Sequence, residues 1–262
     1  MNKKFTILTS CYNGERYLKD WAKSIMRQDY RPIEVVFVDD KSIDKTINII
    51  EKLSDKFEQK DIQLKIIKAQ KKLYCGSGYN LALRKATGEF FGVLDADDML
   101  ENYACSYVIN LYNKYSNIAW IYTQYNKYNR KMDRIIRRGF CQCPPKGESI
   151  LSMEKKRINT YGHWRTFSNR FSNCDTVFKK IFQKHLRCCV DKHLGIRLEE
   201  FGPGMFVNKV CYRYRTRSSG EKSIIHSEPL RRTRIQVCAA AKTRRKRRKL
   251  RIYPIVKCKV KK

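Results

Sequence analysis

The chain has 262 residues, of which 42% are hydrophobic, so it is long enough to bury a full core in one large domain. No apolar run approaches the roughly 20 residues that a membrane-spanning helix needs, and the amino terminus carries no signal-peptide pattern. The 11 cysteines are odd in number and scattered, which favours reduced thiols over a disulfide framework or a zinc site. We therefore expect a cytoplasmic protein whose contact with a membrane, if it makes one, is peripheral.

Positive charge is concentrated at the carboxyl end of the chain. The formal net charge is +32, and residues 231–262 hold 15 Lys and Arg and no acid. Charge blocks of this kind are usually disordered or bound to a surface, so residues 220–262 are expected to form a basic C-terminal extension, with a basic helix over 231–241. The extension predicts an anionic partner, which is a phosphate-bearing substrate, an acidic membrane surface or nucleic acid.

Strand and helix patterns alternate through the first 100 residues. Strands are predicted at four short apolar runs and helices where apolar residues recur at helical spacing. The strands are 5–9, 33–38, 64–67 and 90–94, the helices are 17–26 and 45–57, and a turn over 76–80 opens a further helix that runs to Ala86. This alternation predicts an α/β fold with a doubly wound, mostly parallel central sheet and helices on both faces.

Polar or acidic residues follow three of the predicted strands. Tyr12 comes after the first strand, Asp40 after the second and Asp95 after the fourth. Because parallel strands of an open sheet end at one edge, where ligands bind, we expect these side chains to meet in one crevice. Their convergence is stronger evidence for a site than any single motif.

The fourth strand ends in three carboxylates, Asp95, Asp97 and Asp98. Clustered carboxylates repel one another unless a cation neutralises them, and Mg²⁺ or Mn²⁺ carrying substrate phosphates is the usual partner. A simpler interpretation is a polar turn in which Asp98 caps a helix that starts near Met99.

The second half of the chain has a less regular pattern. Its predicted elements are a helix around 103–115, a strand at 119–122, a loop over 139–147, a helix over 192–200 and a strand over 207–214. Asp191 is placed to act as the N-cap of the second helix. His163 taken alone is more typical of a hydrogen-bonded structural residue than of a catalyst.

Four blocks of the sequence resemble family 2 glycosyltransferases, which have the Rossmann-like GT-A fold. The blocks are residues 10–18, 28–44, 76–80 and 88–98, and they follow the family's order. Any one of them would be weak evidence, whereas the ordered set is specific. The second half is similar only at 163–165, 191–198 and 212–215. The resemblance implies a nucleotide-sugar-binding half over 1–101 and an acceptor-binding, catalytic half over 102–219.

The resemblance also implies roles on the donor side. The residues implied to bind the nucleotide sugar are Ser10, Tyr12, Asn13, Asp40, Asn80 and Asp95. Of these, Tyr12 and Asp40 would hold the base, usually uracil, and Asp95 would contact the ribose. Asp97 would bind the Mn²⁺ or Mg²⁺ that bridges the diphosphate.

On the catalytic side, Asp191 matches the position of the family's general base. The family often has two acids there, but Val190 precedes Asp191 in this chain, and Asp175 is a less favoured alternative base. The candidate contacts with the acceptor or the diphosphate are Asp98, His163, Arg165 and Arg215.

These matches imply a metal-dependent, inverting transfer of a hexosyl or N-acetylhexosaminyl group. The donor would be a nucleotide-diphosphate sugar, usually a UDP-sugar, and the acceptor a hydroxyl of a glycan, glycolipid or protein. The chemistry agrees, since a metal can neutralise the leaving diphosphate and a carboxylate can take the proton of the attacking hydroxyl. The Gln-x-x-Arg-Trp motif of processive synthases is absent, which favours the addition of one or a few sugars.

Two other classes stay open. A degenerate transferase scaffold that binds a membrane, or less plausibly nucleic acid, through the basic extension would explain the charge of +32. Against it, acids such as Asp40 and Asp97 would weaken a cationic binding surface. A nucleotidyltransferase shares the sheet and the metal, but it needs a Lys- or Arg-rich triphosphate loop where this chain has Cys11-Tyr-Asn-Gly.

Overall fold

The computed structural model describes residues 3–156, 161–171, 189–216 and 228–258. Its first elements are β1 (Phe5–Cys11), α1 (Leu18–Met26), β2 (Ile33–Asp39), α2 (Thr46–Lys52), α3 (Ser54–Glu58), β3 (Ile62–Lys68), α4 (Tyr74–Lys85) and β4 (Phe90–Val93). The others are β5 (Met99–Leu100), α5 (Ala104–Lys114), β6 (Trp120–Tyr128), β7 (Ile135–Arg138), α6 (Ile150–Lys155), β8 (Arg165–Ser168), a 3₁₀ turn (Asn169–Phe171), α7 (Val190–Leu198), β9 (Gly204–Arg215), α8 (Glu228–Arg248) and β10 (Ile255–Lys257).

The strands of the described residues form one ten-stranded sheet. Its main path runs β10-β9-β6-β8-β4-β1-β2-β3, while β5 pairs with β9 and β7 with β6. Strands β1 to β4 are mutually parallel where they pair, and β8 runs antiparallel between β4 and β6. The predicted α/β class with a mostly parallel central sheet is confirmed, and β8 is its one antiparallel member on the main path.

The core explains why the first strands have continuous apolar runs. Every residue of β2 is buried, and in β1 only Ser10 is partly exposed. A parallel strand covered on both faces needs apolar side chains in succession rather than in alternation. On one face Trp21 of α1 packs against Phe37 and Phe57, with ring centroids 5.4 and 6.0 Å apart.

Two local predictions about helices were wrong in the first half. The single helix predicted over 45–57 is two helices, which meet at Leu53 and bury both Ile50 and Phe57. No helix starts near Met99, because Met99 and Leu100 pair with β9 and the following helix begins at Ala104. Pairing with a distant strand overrides the local helical preference at that point.

The turn predicted over 76–80 lies inside α4. Its glycine at position 78 serves helix packing, since a Cβ there would lie 2.1 Å from the Ser10 Oγ and 2.9 Å from the Ser10 Cβ. The missing side chain lets α4 lie against the end of β1. Gly78 therefore marks a close approach of helix and strand and not a change of chain direction.

Gly78→Ala should lower the free energy of unfolding by about 1–3 kcal/mol because the added methyl group overpacks this contact. Alanine in itself favours a helix interior by about 1 kcal/mol over glycine, so a loss reports the contact with Ser10. Urea unfolding followed by circular dichroism measures it. Ser10→Gly combined with Gly78→Ala removes the clashing atoms and should recover most of the stability; an equal loss in the double variant would contradict this account.

The basic carboxyl-terminal segment is docked on the domain. The predicted division at residue 241 was wrong, because α8 continues through the basic run to Arg248. Its Arg244 and Arg245 pair with Glu200 at 2.6 and 3.0 Å, and Arg245 also pairs with Glu199 at 3.0 Å. Val237 is buried, and β10 then adds a strand to β9. The carboxylates that pair with the basic residues of α8 lie at the end of α7, so the local sequence could not predict these ion pairs.

Within the described ranges, no helix is both long and apolar enough to cross a lipid bilayer.

Candidate functional site

An open cavity of about 540 Å³ lies where β1 and β4 end. The turn after β1 forms one wall, and the acids after β4 form another. The predicted site residues that line it are Ser10, Tyr12, Asn13, Asp95, Asp97 and Asp98. The structure thus brings together the first and fourth strand ends, as the parallel topology required.

Asp40 lies outside this lining, at the end of β2. Its buried carboxylate accepts hydrogen bonds from the backbone N–H groups of Leu73 and Tyr74, at 2.5 and 3.0 Å. Lys72 approaches the same carboxylate at 3.2 Å and places its ammonium over the ring of Tyr12. Asp40 therefore helps to fix the start of α4 and is linked to the cavity through Lys72 and Tyr12. Tyr12 keeps 49% of its surface exposed, so the ring is accessible.

The turn after β1 is tied to the loop after β2. Asn13 has a left-handed backbone (φ 53°). Its N–H donates to the Ser42 Oγ at 2.9 Å, and its own Oδ1 accepts from the N–H of Ile43 at 3.0 Å. The Asp44 carboxylate accepts hydrogen bonds from the N–H groups of Thr46 and Glu15 at 3.0 and 3.1 Å. These bonds give the cavity wall a fixed shape. Asn80 lies buried within α4.

Asp98 is buried and is held by the far end of β9. It accepts a hydrogen bond from the Tyr212 hydroxyl and another from the Arg215 N–H, both at 2.7 Å. Burial raises the pKa of Asp98 well above its ordinary value, and the charges of Asp97 and Asp95 add to this. The interpretation of Asp98 as a helix cap was wrong, because its oxygens serve β9 and not a helix amino terminus.

Arg215 also holds the loop that contains Asp95, Asp97 and Asp98, which we call the acid loop. It is almost fully buried, and its Nε donates to the Asp97 carbonyl at 2.6 Å. Its guanidinium also pairs with Asp20 of α1 at 2.9 Å and donates to the Arg130 carbonyl. These contacts position the loop between α1 and β9. Contact of Arg215 with a diphosphate or an acceptor stays a prediction.

Asp95 is held by three neighbours and remains about one-third exposed. The Tyr79 hydroxyl donates to its Oδ1 at 2.5 Å, and the Arg165 guanidinium lies 3.4 Å from its Oδ2. The Tyr212 hydroxyl is 3.5 Å from the same oxygen. Burial and the charge of Asp95 raise the pKa of Tyr79, so the phenol stays protonated and remains a donor.

His163 closes the group from the side of β8. Its ring stacks on Tyr212 at 4.7 Å and meets the edge of Tyr125 at 5.0 Å. Burial, with the nearby positive charge of Arg165, lowers the pKa of His163 to about 4, so its imidazole is neutral at pH 7. Its Nδ1 is buried and has no hydrogen-bond partner in the part of the chain that the structure describes. A neutral imidazole with an unpaired nitrogen is a competent metal ligand.

Asp95, Asp98 and His163 can each offer one ligand atom to a common metal ion. These atoms lie within 4.8 Å of one another. Two carboxylates and an imidazole suit Mn²⁺ or a similar divalent ion. A cation here would offset the burial of Asp98 and the repulsion from Asp95 and Asp97 that together raise its pKa, and His163 can offer a ring nitrogen, so the residues fit a metal. Asp97 lines the same cavity but does not belong to this group.

Asp191 lies in the first turn of α7, and the N-cap is Cys189, so the capping prediction for Asp191 was wrong. Burial alone would raise the pKa of Asp191, but Arg165 and then Lys192 and His163 bring it below the ordinary value. Asp191 is therefore ionised at neutral pH. Arg165 interacts with both Asp95 and Asp191, which couples the candidate base to the acid loop. The alternative base Asp175 lies outside the described residues.

A model of glycosyl transferase family 2 matches residues 6–184. The chain belongs to this family. The Escherichia coli chondroitin synthase is 29% identical over 211 residues, which are 79% of this chain and 28% of the synthase. The Staphylococcus aureus poly(ribitol-phosphate) beta-N-acetylglucosaminyltransferase TarS is 36% identical over 99 residues, 37% of this chain and 17% of TarS. This family 2 chain thus spans less than a third of either relative.

Solved glycosyltransferase structures share the fold. A fragment of S. aureus TarS in complex with UDP-GlcNAc has a TM-score of 0.65 and 18% identity, covering 92% of this chain and 72% of the fragment. The mannosyltransferase PcManGT from Pyrobaculum calidifontis, in complex with GDP-Man and Mn²⁺, has a TM-score of 0.59 and 15% identity, covering 94% and 76%. The GT-A fold predicted for this family 2 chain is confirmed.

Sequence reasoning missed two groups of the family 2 site. Tyr79 and Tyr212 supply hydroxyls to Asp95 and Asp98, and neither was assigned a role beforehand. Tyr79 falls in the block 76–80, where the resemblance gave a role only to Asn80. Tyr212 lies 114 residues from Asp98 along the chain, so no local pattern could have paired them.

Proposed function

We propose that this chain is a metal-dependent, inverting glycosyltransferase that moves a hexosyl or N-acetylhexosaminyl group from a UDP-sugar to an acceptor hydroxyl. The observation that carries the proposal is the single cavity that joins the turn after β1 to the acid loop after β4. Membership of glycosyl transferase family 2 supports this class of activity. The likeness to a TarS fragment that binds UDP-GlcNAc supports this class of donor.

The donor would lie along the cavity with its base against the exposed ring of Tyr12. Aromatic stacking suits a planar base, and Asp40 lies beyond Tyr12 on the other side of Lys72. Asp95 would accept a hydrogen bond from a ribose hydroxyl, since about a third of its side chain is exposed. Ser10, Asn13 and Asn80 complete the proposed donor set, with Asn13 fixing the wall through its bonds to the 42–43 loop.

A Mn²⁺ or Mg²⁺ ion would be held at the acid loop. The side chains available to it are Asp97, taken from the family resemblance, and the group of Asp95, Asp98 and His163. When bound, such an ion acts as a Lewis acid that neutralises charge on the diphosphate leaving group. Tyr212 and Arg215 keep the loop in one conformation, so the protein pre-organises the ligands.

Asp191 would take the proton of the acceptor hydroxyl as that oxygen attacks the anomeric carbon. Its lowered pKa keeps it ionised and able to accept. Attack from the face opposite the leaving diphosphate breaks one bond as the other forms, which inverts the anomeric centre. Arg165 would orient Asp191, because its guanidinium is buried and shared with Asp95.

A thermal-shift screen of nucleotide sugars with and without Mn²⁺ tests this function. One donor should raise the melting temperature only when the metal is present; at 100 times its dissociation constant the gain is about 2.7 kcal/mol. Transfer to glycan, glycolipid and protein acceptors can then be followed with that donor, and the anomeric configuration of the product read by NMR. A response to lipid or nucleic acid with none to any nucleotide would favour the degenerate scaffold instead.

The charge of the carboxyl-terminal helix supports a subsidiary proposal, peripheral contact with an anionic surface. Lys242, Lys246 and Arg247 are exposed on α8, whereas Arg244 and Arg245 are used in ion pairs within the protein. Deleting the whole segment would also remove β10 and the packing against α7. Substituting only the exposed cations therefore tests the contact without disturbing the fold.

A further inference from the structure

The ribbon formed by the end of β6 and β7, residues 126–140, exposes apolar side chains on both of its faces; we call it the basic hairpin. Ile135 and Ile136 are 52% and 53% exposed, and Phe140 is 52% exposed. Successive strand residues point to opposite faces, so the exposure of both isoleucines shows that neither face of β7 is covered. All four residues of β7 are exposed. Adjacent exposed aliphatic residues in one strand indicate a surface that meets a partner.

The hairpin is also strongly cationic. Residues 126–140 contain six Lys and Arg and one acid, Asp133. Asp133 is bonded back to Asn129 at 2.7 Å, within the loop. Arg137 lies over the ring of Phe140, 4.4 Å from its centroid, so an apolar and a charged group share one patch. The exposed cations are Arg130, Lys131, Arg134, Arg137 and Arg138.

The hairpin is fixed to the candidate site at its turn and at its open end. The Arg130 carbonyl accepts a hydrogen bond from Arg215, which also holds the acid loop. At the other end Gly139 lies so close to the Tyr125 ring that a Cβ would fall 2.3 Å from it, and Tyr125 contacts His163. The hairpin is therefore held against residues of the candidate site at both ends, and its exposed residues Ile135, Ile136 and Arg137 lie between these two contacts.

We propose that the basic hairpin docks on an anionic lipid membrane. Peripheral membrane proteins bind with apolar side chains such as Ile and Phe at the boundary between head groups and acyl chains. Neighbouring Lys and Arg side chains bind the anionic head groups. A second copy of this chain would bring two cationic ribbons together, which charge opposes. Nucleic acid would satisfy the cations but leave Ile135 and Ile136 in water. The inference goes beyond the transfer reaction and does not depend on its donor.

Docking would hold the cavity next to a membrane surface. The cations near the membrane act over about 10 Å at ordinary salt, so binding should weaken as salt rises. An acceptor presented at that surface would then meet the site without a long diffusional search. This places the chemistry at the membrane without any membrane-spanning segment in the described residues.

Vesicle co-sedimentation with the full chain tests the proposal. Wild type should bind vesicles that contain phosphatidylglycerol and should bind phosphatidylcholine vesicles at least tenfold more weakly. Ile135→Ser with Ile136→Ser, and separately Lys131→Gln with Arg134→Gln and Arg137→Gln, should each lower the partition coefficient at least tenfold. Ile235→Ser, an equally exposed isoleucine on α8, is the matched control and should bind as wild type.

Insertion can be observed directly with Phe140→Trp. The native tryptophans, Trp21, Trp120 and Trp164, are all fully buried, so the new indole is the one exposed to lipid. Its fluorescence should shift to the blue when phosphatidylglycerol vesicles are added. This single change keeps the proposal testable if a multiple variant fails to fold, which its melting curve would show.

Three results would overturn the proposal. The first is that the hairpin variants bind vesicles as wild type does. The second is that binding is lost only in the variant that combines Lys242→Gln, Lys246→Gln and Arg247→Gln, which would assign the contact to α8. Tighter binding to an oligonucleotide than to vesicles, with no blue shift for Phe140→Trp, would assign the cations to nucleic acid.

Discussion

Asp191→Asn should reduce kcat for sugar transfer by about 10²- to 10⁴-fold, the usual contribution of a general base. The amide cannot take the proton of the acceptor hydroxyl. Donor binding should persist, because Asp191 lies on α7 and is not among the residues that line the cavity. Initial rates of transfer, together with calorimetric titration of the donor in the presence of Mn²⁺, separate the two effects.

The variant removes one negative charge near the buried Arg165, so its folding must be checked. Arg165 keeps Asp95 as a partner at 3.4 Å, and we expect a native circular dichroism spectrum with a lower melting temperature. Asp55→Asn, an exposed acid at the start of α3, is the matched control and should transfer sugar normally. Normal transfer by Asp191→Asn would show that the base lies elsewhere in the chain.

Asp97→Ala should abolish the metal dependence of donor binding. Asp97 lines the cavity beside Asp95 and Asp98, and the family resemblance gives it the metal. Without the charge of Asp97, the UDP-sugar should no longer stabilise the protein when Mn²⁺ is present, a loss of about 2.7 kcal/mol at 100 times the dissociation constant. The measurement is the melting temperature with donor, titrated with Mn²⁺, alongside Asp55→Ala as control.

His163→Gln decides between two ligand sets. If His163 ligates the ion with Asp95 and Asp98, whose ligand atoms lie within 4.8 Å of its own, this change should weaken Mn²⁺ binding measured by electron paramagnetic resonance. Changing a residue that supports a metal ligand typically lowers metal affinity by about 10- to 100-fold, and removing a ligand should lower it at least as much. Retained metal dependence in Asp97→Ala, with loss in His163→Gln, would show that the ligand predicted from the resemblance was wrong.

Local sequence was a good guide wherever one apolar run fixed one element. The strands β1, β2 and β4 were predicted to within a few residues because each is buried on both faces. The polar or acidic residues directly after these strands placed Tyr12 and Asp95 at one edge of the sheet, since parallel strands end together. Helix α5 also followed its aromatic spacing.

Prediction failed where a distant partner decided the local structure. Met99 pairs with Arg213 of β9 and so belongs to a strand, although a helix was expected to begin there. The basic run of α8 was expected to lie outside the helix, but Arg244 and Arg245 find Glu200 and Glu199 on α7. In both cases the stabilising contact joins residues that are far apart in sequence, so the local hydrophobic periodicity cannot predict it.

The sequence by itself determined the fold class, the family and the set of acids at the strand ends, because these depend on short apolar runs and on ordered motifs. Only the tertiary structure decided how those acids differ. Asp98 is locked by Tyr212 and Arg215, Asp95 is held by Tyr79 and Arg165, and Asp97 lines the cavity. The physical reason is that the burial, charge and hydrogen bonds of each carboxylate come from β8 and β9, and those strands reach the acid loop only when the sheet has formed.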